Sequence, residues 1–70
     1  MAFYVVNKNE QINGDHEVHN PSVATNCLPN IENRLPLDWH NNCKSAVKKA
    51  RETYPTANGC YYCVNDCHTT

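Results

Sequence analysis

Five cysteines, Cys27, Cys43, Cys60, Cys63 and Cys67, share a chain of 70 residues with four histidines, His16, His19, His40 and His68. A chain this short buries only about 60% of the surface that it exposes when unfolded. With 40% apolar residues, one Trp and one Phe, it needs a staple beyond its core: disulfides, a metal or a partner chain. The sulfur can supply either of the first two. Two disulfides would leave one thiol over, whereas a metal site draws three or four ligands from a mixed Cys/His set. The N-terminus has no basic stretch leading into an apolar run, so it does not look like an export signal. The expected address is therefore cytoplasmic, where thiols stay reduced, and metal ligation is preferred to a metal-free, disulfide-stapled domain.

Charge and hydropathy narrow the classes further. Six Lys and Arg against seven Asp and Glu leave a net charge of −1, which gives no bulk attraction to nucleic acid or anionic lipid. The longest apolar run, Ala2 to Val6, is far short of the roughly 20 residues of a membrane span, so no membrane partner is expected.

The pattern along the chain predicts one α+β domain over residues 1–70: a small antiparallel β-sheet of about three strands with one packed α-helix. Residues 2–7 are β-branched and aromatic, Asn13-Gly14 is a hairpin turn signal, and His16-Glu17-Val18-His19 reads as the returning strand. This makes a β-hairpin over 2–19. In that strand His16 and Val18 share one face while Glu17 and His19 share the other. Residues 20–32 read as a loop carrying Cys27, and residues 33–37 as a strand that Pro36 confines to an edge. The helix spans 42–54. Cys43, Ala46, Val47, Ala50 and Tyr54 form its apolar stripe, an Asn caps it and Pro55 ends it. Ala57-Asn58-Gly59 reads as a turn, leading into a Cys-rich tail over 59–68.

Cys60-Tyr61-Tyr62-Cys63 lets two thiolates curl around one tetrahedral ion. That is half a site; the other half must come from His16, His19 or Cys27, or from Cys67 and His68 in an all-tail arrangement. Two other uses of the motif fit poorly. A thioredoxin-like pair heads a helix, yet only seven residues follow Cys63, and c-type haem attachment needs His where Val64 stands. Cys43 reads as a buried small hydrophobe, and His40 as a surface or capping residue. Lys44, Lys48 and Arg51 read as a solvated helix face, with a small phosphate-contacting strip as the alternative.

From Val18 to Cys63 the order of features is a His, a loop Cys, Glu32-Asn33-Arg34 before a short apolar strand, a helix containing Ala46-Val47, then Gly59-Cys60-x-x-Cys63. This resembles the N-terminal metal-binding domain of the Ada DNA-repair regulators and related Ada-like zinc domains, over about two thirds of the chain. The whole sequence also resembles short uncharacterised bacterial proteins. The Ada resemblance implies a zinc ion held by His19, Cys27, Cys60 and Cys63. The chain departs from the Ada pattern in offering His19 and Cys27, with seven residues between them, where Ada domains have Cys-x-x-x-Cys with a methyl-accepting thiolate. The reading is a zinc-binding structural or interaction module for a protein or nucleic-acid partner. Catalysis and a small-molecule substrate are not expected; the alternative is a nucleic-acid-binding module with a metal-activated thiolate at Cys27.

Overall fold

The computed structural model describes residues 1–23 and 25–69; Ala24, within the expected loop 20–32, and Thr70, at the end of the expected domain, lie outside the described residues. Strand β1, Ala2–Asn7, holds the centre. It pairs antiparallel with β2, His16–His19, aligning Val5 with His19 and Val6 with Val18. On its other side it pairs antiparallel with β3, Arg34–His40. The β1–β2 connection turns through Gly14, whose φ of +89° suits a residue without Cβ, and Asn13 Oδ1 accepts the Asp15 N–H at 3.0 Å.

The helix α1, Cys43–Thr53, starts at Asn42, whose side chain accepts the Ser45 N–H at 3.1 Å. That bond satisfies one of the free amides of the first turn. Ala46, Val47 and Ala50 are its buried residues, and they meet Tyr4, Val6, Val18 and Leu37 in one core. His16, on the same strand face as Val18, stacks on Tyr54 at 4.0 Å. His40 Nε2 donates to the Leu37 carbonyl and its Nδ1 shares a hydrogen bond with Ser45 Oγ, bracing the start of the helix against β3.

Two features of the sheet correct the sequence reading. The strand expected over 33–37 runs on to His40, because a bulge between Tyr4 and Val5 lets Pro36, then Asp38, face β1 and leaves Leu37 as the extra residue. Leu37 is turned into the core by this, 2% exposed, while Asp38 takes up the bend at φ 68°, a region that Asp tolerates better than most residues. The three-stranded antiparallel sheet also becomes a four-stranded mixed one. Residues 57–59 form β4, Ala57–Gly59, parallel to β2, and the strand order is β3-β1-β2-β4. Parallel pairing needs a crossover, and the chain supplies it through β3 and α1.

Tertiary contacts hold β4 where intrinsic propensity would not. Arg51 Nε donates to the Ala57 carbonyl at 3.0 Å, and Asn58, buried, accepts the Thr69 N–H at 3.0 Å and gives its amide to Asp15 and to the Thr69 carbonyl. Gly59 lies so close to the tail that a Cβ there would sit 2.7 Å from the Val64 carbonyl oxygen and 2.8 Å from backbone carbon of Cys67. The tail closes in a 3₁₀ turn, Asn65–Cys67, and Cys67 is bonded to Cys43 as a disulfide with Cα atoms 6.1 Å apart. Cys43 is thus no free core thiol: it ties the first residue of α1 to the C-terminal tail.

Candidate metal centre

Four side chains from three parts of the chain converge at the end of β2. His19 is its last residue, Cys27 comes from the segment that follows, and Cys60 and Cys63 come from the turn after β4; one donor atom from each lies within 4.8 Å of all the others. Local backbone bonds set this up. The Cys60 N–H donates to the Val18 carbonyl at 2.9 Å, continuing the β2–β4 pairing by one residue, and the Val64 N–H returns to the Cys60 carbonyl at 2.9 Å. The Cys-x-x-Cys turn is thereby pinned beside His19.

The donor atoms are aimed at one another. Cys27 Sγ lies 3.4 Å from Cys63 Sγ, and Cys63 Sγ lies 3.5 Å from His19 Nδ1. The Asn20 backbone N–H donates to Cys63 Sγ at 3.3 Å, a bond that favours a thiolate there. His19 is fully buried, Cys60 and Cys63 are buried, and Cys27 is half-buried. Among the described residues, His19 Nε2 is the one buried side-chain nitrogen or oxygen without a hydrogen-bond partner. The nearest carboxylate oxygen, Glu17 Oε1, is 3.9 Å away.

Burial dominates the electrostatics. It lowers the His19 pKa to about 4, helped by the Arg34 charge, so the imidazole is neutral at pH 7. Burial also raises the Cys63 thiol well above its ordinary range, with the Asn20 N–H opposing and Cys27 and Cys60 adding to the rise. The Cys27 thiol is raised for the same leading reason, with Cys63 opposing and Cys60 adding. A neutral imidazole is ready to give a lone pair. Dry thiols crowded together hold little negative charge on their own, and a cation among them is what would draw the protons off. This donor set could hold a metal ion.

The remaining sulfur and histidine lie elsewhere. Cys67, weighed as an alternative ligand, is bonded to Cys43. His68 Nδ1 is engaged by the Gly59 carbonyl at 2.9 Å, so the all-tail site does not form, and His16 faces Tyr54. One disulfide and three free thiols use all five cysteines. A four-donor cluster able to hold a metal ion and a bonded pair, alternatives in the sequence reading, stand side by side. The sequence reading overlooked the backbone N–H of Asn20, which has no side-chain signature; it placed Glu17 and His19 on one face of the strand but gave Glu17 no part in the site.

Comparison with known proteins adds no family: no protein-family model, no curated protein and no solved structure matches the chain. What the fold and site define is a small, cysteine-rich α+β domain with a His/Cys cluster able to hold a metal ion. Among the described residues no helix is long and apolar enough to cross a membrane.

Proposed function

We propose that this chain is a zinc-stapled domain, Ada-like in its ligand arrangement, that works as a non-catalytic structural or interaction module. The observation that carries the reading is the convergence of His19, Cys27, Cys60 and Cys63. Zinc takes sulfur at about 2.3 Å and imidazole nitrogen at about 2.0–2.1 Å in a tetrahedron, which sets S···S edges of roughly 3.8 Å and N···S edges of roughly 3.5 Å. The edges at Cys63, 3.4 Å to sulfur and 3.5 Å to nitrogen, are on that scale. Three sulfurs and one nitrogen favour zinc over hard cations, which take oxygen ligands. A filled set of four protein ligands also favours a structural site, since catalytic zinc keeps one position for water or substrate. Methyl transfer to Cys27 has little support, because no second cysteine stands where Ada domains have one.

The test is native mass spectrometry of protein from zinc-supplemented cells, with free-thiol counting after denaturation. One zinc, three titratable thiols and a mass two hydrogens below the fully reduced chain are expected; no metal and a single thiol would replace this reading with a metal-free, disulfide-stapled domain.

A second reading concerns the partner. Lys44, Lys48 and Arg51 line one cavity of about 370 Å³, floored by Val47 and Cys67 and faced by Asp66. Three cations on one groove favour an anionic partner, with nucleic acid the leading candidate. Binding of a short DNA or RNA duplex should weaken steeply with salt and fall when the three are neutralised together; absent or salt-independent binding would leave a protein partner instead.

A further inference from the structure

We infer that Glu17 is a positioning residue for the metal centre, holding His19 in the tautomer that turns its Nδ1 lone pair toward the three cysteines. This rests on the metal reading above and assigns a role to a residue outside the ligand set. The two ring nitrogens of His19 have different surroundings. Nδ1 is the one near sulfur, 3.5 Å from Cys63 Sγ. Nε2 is buried without a hydrogen-bond partner. A neutral imidazole carries one proton, so a ring that gives its Nδ1 lone pair to a metal must carry the proton on Nε2. A buried N–H with no acceptor is costly. The nearest carboxylate oxygen is Glu17 Oε1, at 3.9 Å from Nε2, and the Glu17 side chain is only 18% exposed.

The strand builds this arrangement without needing a loop. Glu17 and His19 are two apart in β2 and share a face, and Glu17 is fixed from the other side by register with Asn58 of β4. At 3.9 Å, Oε1 stands just outside hydrogen-bond reach of Nε2. Metal-bound histidines commonly give their second N–H to a carboxylate, which fixes the ring and raises its basicity. The carboxylate then touches the ligand and never the ion.

The experiment uses the whole oxidised chain. Zinc affinity is measured by competition with a chromophoric chelator for the wild type, Glu17→Ala, Glu17→Gln, and Glu32→Ala as an exposed carboxylate control. Glu17→Ala should weaken zinc binding about 10- to 100-fold, Glu17→Gln by less because its amide oxygen can still accept, and Glu32→Ala hardly at all. Imidazole ¹⁵N shifts of the zinc-loaded wild type should show Nδ1 bound and Nε2 protonated, a readout that does not depend on any variant folding. Zinc binding by Glu17→Ala within about twofold of a wild type that binds tightly, or a spectrum with Nε2 bound, would overturn this role and leave the metal centre standing. A wild type that binds no zinc would overturn both.

Discussion

The two ends of the C-terminal tail use the same element differently. Cys60 and Cys63 are directed at His19 and Cys27, whereas Cys67, four residues on, is bonded to Cys43 at the start of α1. The cluster joins the sheet to the loop after β2; the disulfide joins the helix to the tail. What separates them is company. The cluster sulfurs have a buried imidazole and a backbone N–H beside them, groups that suit thiolates around a cation, while Cys43 and Cys67 have each other. Sulfur chemistry in so small a protein is decided by the neighbours the fold delivers, and the two staples should therefore fail under different reagents.

Chelation should have the largest effect. Structural zinc contributes apparent free energies on the order of 10 kcal/mol in small domains at neutral pH, so a strong chelator should lower the thermal midpoint in circular dichroism by more than any change below while leaving the Cys43–Cys67 bond intact by mass. Removing the other staple should cost less. A Cys43→Ser/Cys67→Ser double variant should lose about 3 kcal/mol, the value for closing a loop of this size, and still bind one zinc; loss of zinc along with the disulfide would show that the two regions are one unit.

Acid should act on the cluster side alone. The His19 pKa is lowered in the folded chain to about 4, so between about pH 6.5 and 4 the unfolded chain binds the extra proton and the folded one resists it. Stability is full above about 6.5 and falls as pH drops through that window, by about 3 kcal/mol for the metal-free chain. Denaturation midpoints across pH 4–7 for wild type and His19→Ala should show the slope and its removal. Gly59→Ala tests the strand between the staples. Its new Cβ meets backbone of both Val64 and Cys67, and overpacking of this kind costs about 1–3 kcal/mol, with a slower return of the disulfide on reoxidation. The smallest effect belongs to Asn42→Ala, about 1 kcal/mol from the lost N-cap, with zinc affinity unchanged, because that cap lies on the disulfide side.

Much of this was open to reading in the chain itself, for local reasons. The helix follows from a stripe at 43, 46, 47, 50 and 54, with Asn42 before it and Pro55 after it. The alternation of β2 puts Val18 with the core and His19 on the opposite face. The four donors that the structure gathers, His19, Cys27, Cys60 and Cys63, are those the Ada-like resemblance implied, and the shared placement of Glu17 and His19 follows from the same alternation.

Tertiary structure decided the rest. Ala57-Asn58-Gly59 has the composition of a turn and becomes a strand because β2 offers an open edge and Asn58 and Arg51 hold the segment against it. Leu37 enters the core because a bulge absorbs one residue of β3. The pairing of Cys43 with Cys67 depends on where the tail lands after Gly59 lets it approach, a distance no spacing in the sequence encodes. Periodicity along the chain fixes which side of an element is apolar, because that is a local property of the backbone repeat. Which sulfurs meet, and which edge a short polar segment joins, depends on residues far apart in sequence and is set only when the chain packs.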